Sequence, residues 1–292
     1  MADGAYPWLD YGGRLSPLKL LVLIGLFVPG TWIALAYGLG ALGAGPLLEA
    51  ERQLGLWTIR LLFVALAITP VRDILGWRGL SVVRRMVGVA VFVYAALHFL
   101  LYVVDQAFDL QKVVSEIVLR VYLAICFAGV LGAAALAATS TDGAVRLLGG
   151  RRWQRLHRLI YMIGLLAVVH YCMQSKLEEW EPTIMAGLLA WLMGYRLLSW
   201  ALGLRRGPPT WLMLIGLLSL AAALATALGE AGYFWLRQGV SPIRVLWANL
   251  SLAAGMRPAC VVLLFGLLMV GAGALRGALM RWGGWGRVPR SV

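Results

Sequence analysis

The chain has 292 residues, of which 61% are hydrophobic and 13% are charged. Soluble domains average about 45–50% apolar and about 25% charged residues, so this composition excludes an ordinary water-soluble enzyme. It also excludes a disordered chain, which needs low hydrophobicity. The mean hydropathy of +0.82 predicts an all-α integral membrane protein, because a helix satisfies its own backbone hydrogen bonds in lipid.

A spanning helix needs about 20 mostly apolar residues, and eight runs in this chain fit. The first run is longer than the about 7–15 residues of a signal-peptide core, so we expect a retained helix. The spans are expected to hold no Asp or Glu, since Glu230, at the very end of the seventh apolar run, is counted with the connection that follows it. In chain order the predicted spans are Leu20–Leu42, Leu54–Val71, Val82–Val104, Ile117–Ala138, Leu156–Met173, Pro182–Gly203, Trp211–Ala231 and Pro258–Leu275.

One further stretch, Val240–Met256, is ambiguous because it contains Pro242, Arg244 and Asn249. A ninth span there would move the arginine-rich tail to the other side of the membrane. We therefore expect an interfacial or re-entrant segment.

The net charge of +13 would suggest a nucleic-acid partner in a soluble protein. Here the basic residues lie between apolar runs, where they set orientation, so no nucleic acid is expected. Alternate segments hold 17 basic and four acidic residues, whereas the remaining connections hold nine acidic residues. This asymmetry predicts both termini in the cytoplasm and an even number of spans.

The three cysteines, Cys126, Cys172 and Cys260, form no C-x-x-C pair and lie in or beside apolar runs. They indicate neither a disulfide framework nor a zinc site. We expect them to act as small packing residues.

The three histidines, His98, His157 and His170, all fall in or at the end of predicted spans. Ionisable residues within a membrane are costly and are candidates for function, although a histidine can also serve as a hydrogen bond between helices. The third and fifth spans run in the same direction, so His98 and His170 should face each other near the outer leaflet. Arg84 lies about 21 Å of helix rise before His98, level with His157.

Two neutral imidazoles on adjacent helices are suitable axial ligands for heme iron. A zinc site would need three or four clustered ligands, and a proton relay would more naturally include a carboxylate. Heme is therefore the favoured ligand at His98 and His170. No C-x-x-C-H motif is present, which favours noncovalent attachment as in a b-type cytochrome.

Several arginines are candidate anion contacts. Arg60 lies within the second span, where it either snorkels to the interface or binds a heme propionate or a quinone oxygen. Arg84 opens the third span and is either a positive-inside anchor or part of an inner site. The basic run before the fifth span could bind propionates, a flavin phosphate or an acidic partner, and its candidate residues are Arg151, Arg152 and Arg155.

Four stretches of the chain resemble a known family. They are LGLWTIRLLFVALAITPVRDILGW, RRMVGVAVFVYAALHFLLYV, ATSTDGAVRLLGGRRWQRLHRLIYMIGLLAVVHY and GYRLL. They resemble the heme-binding membrane subunit of the periplasmic methionine sulfoxide reductase system, the MsrQ family, formerly YedZ. That family belongs to the ferric-reductase-like transmembrane superfamily, and the resemblance covers about residues 14–200.

The resemblance implies that His98 and His170 ligate a heme b, and that His157 supports a second heme or a flavin on the cytoplasmic side with Arg84 opposite. In oxidases of the superfamily both levels carry histidine pairs, whereas here the partner of His157 is an arginine. The resemblance also implies bound FMN and electrons from the quinone pool or a cytosolic flavin reductase. The expected recipient is a periplasmic molybdopterin-containing catalytic subunit that reduces methionine sulfoxide in damaged proteins.

The predicted organisation is a six-helix ferric-reductase-like core followed by about two extra spans. Residues 1–17 form a cytoplasmic segment, residues 18–203 the heme-binding domain, and residues 204–292 a transmembrane extension with a basic tail. The expected function is electron transfer across the bacterial inner membrane, with the substrate reduced by the partner. The alternatives are a ferric or cupric metalloreductase with a separate flavin-containing donor, and a transporter or structural membrane protein without redox function.

Overall fold

The computed structural model describes residues 8–9, 13–175, 179–202, 209–251 and 255–282, and within them the regular structure is helical. A short 3-10 helix, Arg78–Val82, follows the second helix. The α-helices of the described residues are α1 Pro17–Gly38, α2 Pro46–Leu75, α3 Arg84–Asp105, α4 Leu110–Leu119, α5 Val121–Ala138, α6 Asp142–Leu148, α7 Gly150–His157, α8 Leu159–Gln174, α9 Trp180–Ala201, α10 Pro209–Gln238, α11 Pro242–Leu250 and α12 Pro258–Trp282.

Some sequence predictions fall outside the described residues. The boundary between the core and the extension at residue 203 is one of them. The others are charges used for orientation: Asp3, Asp10, Glu178, Arg205, Arg206, Arg287 and Arg290.

Eight segments of the described chain are long and apolar enough to cross a membrane. They are α1, α2, α3, α5, α7 with α8, α9, α10 and α12, which confirms the predicted all-α fold with eight spans. The ambiguous stretch contains α11, a helix of nine residues, which is too short to cross a bilayer.

The fourth span begins later than the apolar pattern predicts. The Asp109 side chain accepts a hydrogen bond from the Lys112 backbone N–H at 2.9 Å and so caps α4 as a separate helix. Arg120 then adopts an extended conformation with φ −109° and ψ 110°, which ends α4 before α5 starts. The span therefore starts at Val121 and not at Ile117.

Carboxylates lie within two long helices, at or beyond the ends of the predicted spans. Helices α2 and α10 each run for 30 residues, well beyond the apolar runs, so that Glu51 and Glu230 fall inside them. Glu230 is 5% exposed. It accepts hydrogen bonds from Arg257 Nη2 at 2.7 Å and Asn249 Nδ2 at 2.8 Å. A helix continues through such a residue because the buried charge finds partners.

The chain divides into two compact units, of which the first comprises residues 1–68 and 79–174. In this unit a tyrosine joins α1 to α3. The Tyr94 hydroxyl donates to the Leu26 carbonyl at 2.7 Å and accepts from the Gly30 N–H at 2.8 Å. In a regular helix the Gly30 N–H would donate directly to the Leu26 carbonyl. The Tyr94 hydroxyl lies between these two groups of α1, next to Pro29, which has no N–H and so weakens the helical hydrogen bonds there.

The second unit comprises residues 69–78 and 175–292, and its helices pack through small residues. Trp191 is fully buried on α9 and donates its indole N–H to Ser219 Oγ on α10 at 2.9 Å. A side chain added at Gly266 of α12 would lie 2.0 Å from that same oxygen. Close packing of this kind drives helix association in lipid, where the hydrophobic effect between helices is absent.

An arginine of α12 caps the end of α2. Arg276 Nη1 donates to the Ile74 carbonyl at 3.1 Å. Gly76 has φ +65°, and a side chain there would collide with the Arg276 guanidinium. The positive charge therefore satisfies the free carbonyls at this helix end.

Glu230→Ala should lower the unfolding free energy by about 3 kcal/mol, because it leaves the part-buried Arg257 side chain, 24% exposed, without its counter-charge. Thermal unfolding of the purified protein in detergent measures the effect. Glu116→Ala is the matched control, since Glu116 pairs with Arg120, whose side chain is 52% exposed, and exposed pairs contribute little to stability. Equal midpoints for the two variants would contradict the prediction.

Candidate metal centre

Three potential metal-ligating residues of the first unit lie together. They are His98 on α3, Cys126 on α5 and His170 on α8, and their ligand atoms all lie within 4.8 Å of one another. Among the described residues this is the one such cluster of three. The structure thus brings together the two histidines that the sequence predicts to face each other, and it adds a thiol.

Both imidazoles are oriented by backbone carbonyls. His98 Nδ1 lies 2.8 Å from the Glu51 carbonyl oxygen, and His170 Nδ1 lies 3.0 Å from the Tyr122 carbonyl oxygen. A carbonyl can only accept, so each Nδ1 must carry the proton. The lone pair of each neutral ring is then on Nε2, the nitrogen left for a metal.

The two half-sites share one local design. In an α-helix each carbonyl accepts from the N–H four residues later. The helical partner of the Glu51 carbonyl is therefore the N–H of Gly55, and that of the Tyr122 carbonyl is the N–H of Cys126. A Cβ at Gly55 would lie 3.1 Å from His98 Cε1 and 3.2 Å from Nδ1. Glycine therefore lets the His98 ring reach the backbone of α2, and Cys126 is its counterpart beside His170.

A break in the fifth span places His170. Thirteen residues separate it from His157, a step that in one straight helix would rotate the two side chains well apart. The structure ends α7 at His157, with Arg158 between it and α8. Because of this break, the directions of the His157 and His170 side chains need not follow the rotation of one straight helix.

Aromatic residues lie on the helices that carry the cluster. The Tyr122 ring centroid lies 6.3 Å from that of His170, and the Phe99 centroid lies 5.4 Å from that of Phe127. Tyr102, one helical turn beyond His98, has a buried hydroxyl with no hydrogen-bond partner among the described residues. A buried hydroxyl without a partner points to a ligand group that is not part of the chain.

His157 lies apart from this cluster and has protein partners of its own. Its Nε2 is 3.2 Å from Thr139 Oγ1, and its ring stacks on Trp153 with centroids 3.9 Å apart. Arg84 and Arg85 are its charged neighbours, so the predicted proximity of Arg84 and His157 is present. The Thr139 contact favours a hydrogen bond between helices at this position, and a second heme there stays a prediction.

The remaining candidate arginines are not brought to the histidine pair by any contact described. The Arg60 guanidinium lies over the Trp57 ring, 5.2 Å from its centroid. The basic run lies on α7, where three of its members are exposed: Arg151, Arg152 and Arg155. Their roles as anion contacts stay predictions.

Sequence reasoning missed two residues of the centre. Gly55 carried a usable signal, because an isolated glycine inside a helical run often marks close approach of another group. Cys126 carried none, since a thiol in an apolar helix is usually a packing residue. The structure places the Cys126 thiol within 4.8 Å of the ligand atoms of both histidines, and its role as a small packing residue stays a prediction.

The chain matches the family described as "Ferric reductase like transmembrane component" over residues 54–168. This range contains His98, Cys126 and His157 and ends two residues before His170.

Several curated proteins are similar over most of their own length, and each is named Protein-methionine-sulfoxide reductase heme-binding subunit MsrQ. A protein of Rhodospirillum rubrum is 41% identical over 180 residues, which cover 61% of this chain and 86% of the relative. One from Azospira oryzae is 35% identical over 64% of this chain and 81% of its own. One from Xanthomonas campestris pv. campestris is 44% identical over 56% and 76%. No solved structure matches the chain significantly.

Proposed function

The chain belongs to the family of protein-methionine-sulfoxide reductase heme-binding subunits, and from that premise we propose that it is a b-type heme subunit carrying electrons across the bacterial inner membrane. The recipient is a periplasmic molybdopterin-containing catalytic subunit that reduces methionine sulfoxide in oxidised proteins. The observation that carries the proposal is the histidine pair with both Nε2 atoms available.

The residues of the centre fit a heme. An iron with two axial imidazoles requires two nitrogens about 4 Å apart, since each bond is about 2 Å long. The ligand atoms of His98 and His170 lie within 4.8 Å. The rings of Tyr122, Phe99 and Phe127 would supply an apolar surface for the macrocycle. The hydroxyl of Tyr102, which has no hydrogen-bond partner among the described residues, would be available for a propionate.

A bound heme would supply one-electron redox chemistry, and the chain's own residues set its environment. His98 and His170 would hold the iron through their Nε2 atoms. The carbonyls of Glu51 and Tyr122 keep both rings in the ligating tautomer and increase their basicity. The surrounding helices exclude water, which together with the ligands tunes the potential.

Electrons are proposed to enter from the quinone pool or a cytosolic flavin reductase. The charge asymmetry of the sequence supports cytoplasmic termini and a cytoplasmic end for the fifth span, which begins with α7. Arg84 and the exposed arginines of α7, Arg151, Arg152 and Arg155, are then suited to the phosphate of a bound FMN or to an acidic donor. Arg60 is proposed to contact a quinone oxygen or a propionate.

His98→Ala and His170→Ala should each abolish low-spin heme, because a single imidazole cannot complete the axial pair. The measurements are the absorption spectrum and the heme-to-protein ratio of the purified full chain. His157→Ala is the control and should keep the heme of the pair, with one heme per chain.

Two outcomes would contradict the proposal. Normal heme content in the His98→Ala, His170→Ala double variant would refute the ligand assignment. Reduction of ferric or cupric ions at the outer face without any catalytic subunit would favour a metalloreductase.

Gly55→Leu should reduce heme occupancy at least tenfold, because the new side chain would occupy the space of the His98 imidazole, which a Cβ alone would already approach to 3.1 Å. The heme-to-protein ratio after reconstitution with hemin measures it. Gly25→Leu is the matched control, since Gly25 is an exposed helical glycine with open space around it. Equal occupancy in the two variants would show that the close approach at Gly55 has no role.

A further inference from the structure

The Cys126 sulfur is a third ligand atom in the pocket of the histidine pair. It lies within 4.8 Å of a ligand nitrogen of both His98 and His170, and these two nitrogens lie within 4.8 Å of each other. A sulfur that is near both nitrogens must lie beside the gap between them. That gap is the place where a metal would bind.

The two half-sites differ at this one position. On the His98 side the helix residue beside the ring is Gly55, which leaves the space open. On the His170 side the corresponding residue, four positions after Tyr122, is Cys126, whose sulfur lies within 4.8 Å of the ligand atom of His170. The pocket is therefore asymmetric in a way that adds a metal-binding group.

We propose that the heme-free pocket binds a single zinc(II) ion through His98 Nε2, His170 Nε2 and Cys126 Sγ, in competition with heme. Zinc accepts nitrogen and thiolate ligands at about 2.0–2.1 and 2.3 Å, which separates ligand atoms by about 3.3–3.6 Å in a tetrahedral site. Small side-chain rotations bring atoms within 4.8 Å to that spacing. On binding, the thiol releases its proton to solvent as the zinc–sulfur bond forms, without any change of oxidation state.

Heme and this zinc ion exclude each other. A bound heme would occupy the space between the two imidazoles, and the Cys126 sulfur lies beside that space. Heme binding would therefore require the Cys126 side chain to turn away, whereas zinc would use the thiol as a ligand. The ion would hold the two histidines together before the cofactor arrives.

The test uses the full chain, made in heme-deficient cells and purified in detergent without heme. Cobalt(II) is the probe, because it takes the place of zinc and gives a thiolate-to-cobalt charge-transfer absorption. We expect one cobalt per chain with this absorption, displacement by equimolar zinc, and release of the metal on addition of hemin.

Cys126→Ser and Cys126→Gly should lose the charge-transfer absorption and bind cobalt at least tenfold more weakly. The matched control is Cys260→Ser, since Cys260 lies on α12 in the second unit and should behave as wild type. An unchanged absorption in Cys126→Ser, or hemin and cobalt bound together at full occupancy, would overturn the inference.

The outcome is separable from that of the proposed function. Cys126→Gly reproduces the open half-site of Gly55, so it should bind heme at least as well as wild type, which also shows that it folds. Heme binding without cobalt binding in the wild type would refute only the zinc site. Cobalt binding without heme binding would refute the heme proposal and leave the zinc site.

Discussion

The centre depends on one constraint, which is that each imidazole must point the same nitrogen inward. A histidine in an apolar helix bundle has two tautomers and a freely turning ring. The Glu51 and Tyr122 carbonyls remove both freedoms, because each accepts a proton from Nδ1 and anchors the ring edge. Carbonyls within a helix normally accept only from the N–H four residues later. An imidazole can reach such a carbonyl only where the residue four positions later is small, as Gly55 and Cys126 are.

The sequence was sufficient for those parts of the fold that follow from hydrophobicity. The eight apolar runs correspond to eight candidate spans, because the thickness of the hydrocarbon core sets the length of a spanning helix. The pairing of His98 with His170 followed from the shared direction of two spans. Helix ends were less predictable, since Asp109 and Arg120 stop α4 through a cap and a backbone turn that hydropathy does not register.

Other parts required coordinates because they depend on contacts between residues distant in sequence. In the sequence Glu230 marks the end of a span. In the structure Arg257 supplies its counter-charge and Asn249 donates a second hydrogen bond to it. Cys126 is expected to be a packing residue, because no neighbouring residue in its own helix indicates that His98 and His170 lie beside it. The insertion of Tyr94 at Gly30 joins residues 64 apart, and no local pattern encodes such a partner. Sequence therefore predicted the histidine pair, while the groups that orient the two rings came from the structure.

The arginine cap at the end of α2 has an evolutionary consequence. Helix α2 begins in the unit that holds the histidine pair and ends in the unit formed with the C-terminal helices, where Arg276 reaches the Ile74 carbonyl over the bare backbone of Gly76. A deletion of α12 would leave the Ile74 carbonyl without this donor. Loss of the last helix would therefore expose a polar group at the end of α2, which disfavours shortening of the chain there.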